Sequence, residues 1–437
     1  MNTADLVVHN GRVLTMDVNN PVVERGFVAV TGPVIAALGS EGSRESWSAG
    51  KTIDAGGGII MPGLVNTHTH AAMTGFRGLA DDLPLMRWLE EHIFPAEAQL
   101  DEEKVRAGTL LACAEMIQSG TTCFCDMYLF ENAVAEAAAT AGMRAVVGEV
   151  LYDFPSPSYG PIEKGLVYTK ELIDRWQGHP LVSIAVEPHS PYLCSPDLLQ
   201  AAIDLARRNG CLGVIHLSET QSEVDRIRDH YGCSPVAHLE SLGLLGPDLL
   251  ACHCVVLEEG DIDLLARRGV KVAHNAESNM KLASGIAPIP KLIDRGVCVG
   301  IGTDGCASNN NLDLFSEMDT VAKLHKVAAL DPTVMPAETV LRMATIDGAR
   351  ALGMGDRIGS LAVGKLADFI VVDTAKPHLT PMYHPVSHLV YAAKGSDVDT
   401  VVIGGRVVME NRRMLTLDLE TIISDVLRWA DGIRNLA

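Results

Sequence analysis

His68 and His70 stand one residue apart at the end of the run Ile59-Ile60-Met61-Pro62-Gly63-Leu64-Val65-Asn66-Thr67-His68-Thr69-His70. The residues before them are apolar and read as a buried strand, in which positions i and i+2 face the same way. Two imidazoles then leave one strand end side by side. That is half of a metal site, because neutral imidazole is a common ligand for zinc and iron. A chain with 15 His in 437 residues holds roughly one such pair in every second case by chance. The pair therefore carries weight only in company.

The company depends on the elements that position it. From about residue 59 to 355, short β-rich runs alternate with amphipathic stretches. Strands are expected over 59–68, 121–127, 144–151, 182–188, 213–217, 249–255, 270–274 and 297–302. Helices are expected over 85–91, 102–119, 133–141, 196–208, 222–231, 260–268 and 288–295, several of them closed by Gly. Strands separated by helices pair in parallel, and this many βα units in a row point to an α/β fold, a closed (β/α)8 barrel of the TIM type. Chemistry in such barrels sits at the carboxy-terminal strand ends. Ligand-type residues stand at those ends here: His68 and His70, then Glu187 and His189, His216 and Glu219, His253, His274, and Thr303-Asp304. His68, His70, His216 and Asp304 would supply three nitrogens and an oxygen, with a position left for water. Taken singly, His216 reads as a core histidine and Asp304 as a helix cap; the joint pattern favours a metal. His274 is left unassigned.

The flanks differ. Residues 1–58 and 356–437 carry strand–turn–strand patterns with Asn-Gly and Gly-Gly turns, so both chain ends are expected to meet in a small β-sandwich around the barrel at 59–355. A surface helix is expected over 418–436. The formal charge of −20, with no basic tract, argues against nucleic acid. No stretch approaches the ~18 apolar residues of a membrane span, and the start of the chain lacks the features of a signal peptide. A cytoplasmic protein is expected. Ten Cys without a C-x-x-C pair read as buried free thiols in a reducing compartment.

With these residues in place the chain resembles the amidohydrolase superfamily. The blocks Gly57–Gly75 and Gly302-Thr303-Asp304-Gly305 are similar to that superfamily, and Gly359–Phe369 is similar to its return into the sandwich. Strand 4 carries no lysine of the kind that bridges two metals. The resemblance thus implies one divalent metal per chain, zinc first, with iron or manganese also compatible. His216-Leu217-Ser218-Glu219 is the deaminase-type arrangement. Within the superfamily, Trp88-Leu89-Glu90-Glu91-His92-Ile93-Phe94-Pro95-Ala96-Glu97 resembles the segment after strand 1 in 5-methylthioadenosine/S-adenosylhomocysteine deaminases. The resemblance implies that Glu97 binds the ribose hydroxyls, that His189 contacts substrate, and that Trp88 and Ser308 line the nucleoside pocket. It also makes a homo-oligomer plausible.

The chemistry implied is hydrolytic deamination of a small-molecule purine nucleoside. A metal lowers the pKa of water to roughly 7. Asp304 takes the water's proton, His253 orients the water, and Glu219 protonates the ring nitrogen beside the attacked carbon and then the departing amine. Two alternatives stand beside it. One is another hydrolase of the superfamily, acting on a triazine or a different aminopurine. The other is a non-catalytic scaffold, which the intact ligand set disfavours. The loop at 152–164 has no arginine, and Lys164 is its only cation. A neutral 5′ tail, held by Tyr152, Phe154 and Tyr159, is therefore expected to suit the site better than an amino-acid tail.

Overall fold

The computed structural model describes residues 2–17, 22–83 and 85–433. Strands β1 (Asn2–Leu14), β2 (Val22–Thr31), β3 (Val34–Ser40), β4 (Trp47–Asp54) and β5 (Ile59–Pro62) open the chain. The barrel strands follow as β6 (Leu64–Thr69), β7 (Thr121–Tyr128), β8 (Arg144–Leu151), β9 (Val182–Ile184), β10 (Glu187–Pro188), β11 (Gly213–Leu217), β12 (Leu249–His253), β13 (Lys271–His274) and β14 (Val299–Ile301). β15 (Phe369–Val372), β16 (Val398–Ile403), β17 (Arg406–Glu410) and β18 (Arg413–Met414) end the series.

The middle set forms a parallel sheet in the order β10-β8-β7-β6-β14-β13-β12-β11, with β9 also on β8. The sheet closes. Val214 N donates to Val186 O at 3.1 Å and His216 N to His189 O at 2.9 Å, so β11 meets the fourth strand. That fourth strand, expected as one run over 182–188, is broken into β9 and β10. β7 and β8 are buried at every position, as the continuous apolar run of a covered parallel strand requires. Helices between strands carry local signals at both ends. Ser195 and Thr220 cap Pro196–Asn209 and Gln221–Tyr231 by accepting from Leu198 N and Glu223 N, and Gly210 and Gly232 close them in the left-handed conformation.

The chain ends share one sheet, in the order β18-β17-β16-β15-β5-β1-β2-β3, with β4 on the far edge of β1. β15 pairs antiparallel with β5, which joins the two ends directly. The first expected barrel strand is therefore two strands. β5 belongs to the terminal sheet and β6 to the barrel, and the change occurs at Gly63 rather than after residue 58. A Cβ on Gly63 would lie 2.1 Å from Thr122 Oγ1, so only glycine lets the backbone cross there.

Three further elements differ from expectation. A helix spans Ile162–Trp176 where none was foreseen, because Gly165, Val167, Tyr168 and Thr169 are poor helix formers. Its buried stripe of Gly165, Thr169, Leu172 and Ile173 overrides that preference. The segment after β6 runs as a short α-helix (Leu85–Trp88), a π-turn (Leu89–Ile93) and a second α-helix (Phe94–Glu97). The terminal helix, Leu419–Ile433, is not merely superficial: it buries Ile422, Val426 and Ile433. Its Trp429 occupies the space beside Gly75, where a Cβ would meet the indole at 1.7 Å. Residue 434 onward lies outside the described residues.

One buried ion pair ties barrel to terminal sheet. Arg144, opening β8, donates through Nε to Asp368 Oδ2 at 2.7 Å and through Nη2 to Oδ1 at 3.0 Å. Gly404 N also donates to Asp368 Oδ1, at 2.7 Å. No helix of the described residues is long and apolar enough to cross a membrane.

Candidate active site

His68 and His70 leave the end of β6, His216 sits on β11, and Asp304 follows β14. The ring centroids of His68 lie 4.9 Å from those of both His70 and His216. Asp304 Oδ1 is 3.1 Å from His70 Nε2 and 3.6 Å from His68 Nε2. Ligand atoms of His68, His70 and His216 lie within 4.8 Å of one another, and so do those of His68, His253 and Asp304. The four expected ligands and His253 are thus brought to one point.

The donor chemistry fits a divalent cation. His68 is fully buried, and both its ring nitrogens lack a hydrogen-bond partner. Such orphaned nitrogens are costly unless something electrophilic meets them. His70 Nδ1 is on the Met127 carbonyl and His216 Nδ1 is 2.9 Å from the His189 carbonyl, which leaves each Nε2 facing inward. This carbonyl-to-imidazole support is the usual way a ligand histidine is oriented. Burial holds His68 and His216 well below the ordinary imidazole pKa, in the neutral form that ligates. Burial also lowers His70, but the adjacent Asp304 outweighs it and raises the ring to about 9. Asp304 itself is pushed up by burial and pulled further down by His70, so its carboxyl ends well below the usual range.

Asp304 is held in place by neighbours. Its Oδ2 accepts from Ser278 Oγ at 2.6 Å and Ser308 Oγ at 2.8 Å, and its Oδ1 accepts from Gly305 N at 2.9 Å. His253 Nδ1 lies 2.9 Å from Asn279 Oδ1. Asp304, His253 and Ser218 all adopt positive φ, at 61°, 72° and 53°. Non-glycine residues in that region cost energy and gather at functional strand ends.

Above the cluster lies a cavity of about 490 Å³, lined by His70, His189, His216, Glu219, His253 and Asp304 at its base and by Trp88, Glu97, Tyr152, Phe154 and Ser308 among others. Burial raises the Glu219 carboxyl, against the pull of His253. Burial raises Glu97 to about 7, opposed by a hydrogen bond from Tyr128. Burial lowers His189 to about 3. Trp88 is turned so that its indole N–H donates to Ala80 O at 3.1 Å. Tyr159 is not a wall residue. Its hydroxyl donates to Val150 O at 3.2 Å, and its ring packs behind Tyr152. Lys164 is exposed on the Ile162–Trp176 helix and does not line the cavity. Among the described residues, no lysine or arginine does.

The description "amidohydrolase family" matches residues 59–408, which take in the whole barrel and the return into the terminal sheet. The chain belongs to the amidohydrolase family. Within that family it is 64% identical to the 5-methylthioadenosine/S-adenosylhomocysteine deaminase of Syntrophobacter fumaroxidans, over 99% of both chains. It is 49% identical to the 5'-deoxyadenosine deaminase of Methanosarcina acetivorans, over 98% of both. A solved adenosine deaminase from Xanthomonas campestris with bound zinc superposes with a TM-score of 0.97 at 41% identity, covering 99% of each chain.

In this amidohydrolase the sequence reading had missed the supporting residues. Ser278 and Asn279, which hold Asp304 and His253, follow β13 in the run Ala276–Lys281. The polar string Asn275-Ala276-Glu277-Ser278-Asn279 at a strand end was the available signal. Asn66, buried within β6, bonds Thr303 through both its amide atoms and fixes the turn before Asp304. Ser308, expected as a substrate contact, spends its hydroxyl on Asp304 and Gly305.

Proposed function

We propose that this amidohydrolase is a metal-dependent hydrolytic deaminase of adenine nucleosides, converting 5′-methylthioadenosine, S-adenosylhomocysteine or adenosine to the inosine-type product and ammonia. The observation that carries the reading is one cavity holding a three-histidine, one-aspartate donor set at its floor and Glu219 and Glu97 on its walls. His68, His70, His216 and Asp304 would hold one divalent ion, zinc before iron or manganese. A bound divalent ion supplies Lewis acidity that brings the pKa of water to roughly 7.

The chain's own groups do the rest. Asp304 accepts the proton of the attacking water, since its carboxyl is held in the ionised form. His253, set by Asn279, orients that water and stabilises the developing negative oxygen. Glu219, whose carboxyl burial favours in the protonated state, delivers a proton to the purine nitrogen beside C6. As the tetrahedral carbon collapses, Glu219 takes the proton of the C6 hydroxyl and passes it to the leaving amine, so the C6–N bond breaks, ammonia departs, the carbonyl forms, and the proton held on Asp304 restores Glu219. Glu97 accepts from the ribose 2′ and 3′ hydroxyls. His189 contacts the base, and Trp88 closes one wall. A triazine ring offers Glu97 no such hydroxyls.

The same reading takes residues 63–355 as the catalytic barrel and the two ends, β5 included, as one small sandwich, in a cytoplasmic homo-oligomer. The test of the activity is a spectrophotometric screen of adenine nucleosides differing at the 5′ position. The metal-loaded enzyme is expected to deaminate them, with 5′-methylthioadenosine ahead of S-adenosylhomocysteine because no lysine or arginine among the described residues lines the cavity. Hydrolysis of a triazine with no turnover of any nucleoside would overturn the reading.

A further inference from the structure

A second cavity adjoins the first. Phe154, Tyr192 and Leu193 line both, so three side chains form a common wall. The second cavity is also lined by Asp225, Arg226 and Asp229, from the Gln221–Tyr231 helix that follows β11. The guanidinium of Arg226 lies 5.8 Å from the Tyr192 ring centroid. Among the described residues it forms no ion pair. Most of the basic side chains facing outward around the barrel do, including Arg228 on the same helix, which meets Glu258 at 2.6 Å. Asp225 accepts from Gln221 Nε2 at 2.8 Å through one carboxylate oxygen.

The residues between the two floors form a short series. The His216 and His189 rings are 4.6 Å apart, the His189 and Tyr192 rings 5.9 Å apart, and Arg226 follows beyond Tyr192. A nucleoside with its base on the metal cluster and its ribose at Glu97 points its 5′ substituent away from the floor. In an amino-acid tail four single bonds separate the 5′ sulfur from the carboxylate carbon, about 5 Å of reach when extended. The far cavity offers what the tail presents: a planar cation for a carboxylate, and carboxylates for an ammonium.

We propose that Arg226, with Asp225 and Asp229, forms a separate subsite that reads the zwitterionic amino-acid tail of a 5′-thio-substituted adenosine. The subsite adjoins the catalytic cavity where Phe154, Tyr192 and Leu193 line both. It supplies from the helix after β11 the cation that the 152–164 loop lacks. The inference rests on the deaminase reading. Because Arg226 is exposed and screened by water, its contribution is modest: it makes the charged tail acceptable without making it preferred.

The test compares kcat/KM for S-adenosylhomocysteine and 5′-methylthioadenosine in the metal-loaded wild type, Arg226→Met and Arg226→Lys. Methionine keeps the apolar stem and removes the charge. With Arg226→Met, kcat/KM for S-adenosylhomocysteine is expected to fall about fivefold, mostly through KM, and less so at high salt. For 5′-methylthioadenosine it should stay within about twofold, and Arg226→Lys should retain most of the charged-tail activity. Equal losses on both substrates, an unchanged S-adenosylhomocysteine KM, or a wild type that turns over only the neutral tail would each overturn the subsite while leaving the deaminase reading intact. A wild type that deaminates neither nucleoside removes the reading and the subsite together.

Discussion

The carbonyl oxygen of His189 lies 2.9 Å from Nδ1 of His216, so one residue orients a proposed metal ligand through its backbone while its own imidazole lines the cavity. The two tasks are separable. His189→Gln should keep its full metal content, because the carbonyl remains, and lose turnover by roughly one to two orders of magnitude. Elemental analysis beside steady-state kinetics checks this. Loss of metal in step with activity would place the imidazole in the ligand shell.

On the proposed mechanism Glu219→Gln removes the proton carrier but not a ligand. We expect bound metal to be unchanged and deamination to slow by about two to four orders of magnitude. A variant that lost metal and regained its rate on reconstitution would show a ligand-shell residue instead of a proton shuttle.

The metal-free enzyme should hold a proton on His70, which Asp304 raises to about 9 against the effect of burial. Ligation needs the neutral ring, so a metal must displace that proton. Its apparent affinity should therefore weaken as pH falls below about 9, by up to about tenfold per unit from this group. Calorimetry of metal uptake at pH 7.5, in buffers of different ionisation heat, should register proton release. A heat independent of buffer would refute it.

In its proposed role Glu97 is ionised when it accepts from two ribose hydroxyls, and burial has moved it up to about 7. Its carboxylate fraction falls as pH drops through that value, so KM for a riboside should rise on the acid side. Glu97→Gln should flatten that limb. Glu97→Ala should hurt ordinary nucleosides much more than 2′,3′-dideoxy ones. Equal loss on both would remove the ribose assignment.

Arg144→Leu strands Asp368 in a site where both side chains are almost fully buried. Breaking such a pair typically costs about 3–5 kcal/mol, whereas replacing both partners with apolar groups costs far less. Chemical denaturation of the metal-loaded enzyme should show a marked loss for Arg144→Leu and partial recovery in Arg144→Leu/Asp368→Leu. Equal stability of single variant and wild type would contradict this.

The convergence of the proposed ligands was legible in the chain because barrel topology turns strand ends into a map: His68, His216, His253 and Asp304 each close an apolar run, and closure brings those ends together. Ser278 and Asn279 were not legible, since a short polar residue after a strand reads equally well as a turn. The boundary at Gly63 was hidden because both sheets ask for the same apolar residues on either side of it. Arg226 sits in the charge-rich run Glu223-Val224-Asp225-Arg226-Ile227-Arg228-Asp229, which in sequence is only a solvated helix face. Its meaning comes from Tyr192, which a different loop brings beneath it.

The pairing of Ile59 with Val372 in the terminal sheet also sets an order of assembly on the ribosome. β5 leads straight into the first barrel strand, yet its β15 neighbour is synthesised only after every barrel strand has emerged. Until then β5 is paired on its β1 side only, and its other edge stands open beside a full set of barrel strands. Pairing across so long a separation is slow, and an uncovered edge invites other chains. Chains released before Phe369 is made should therefore aggregate instead of persisting as smaller barrels, which makes translation through the last strands the step that decides yield.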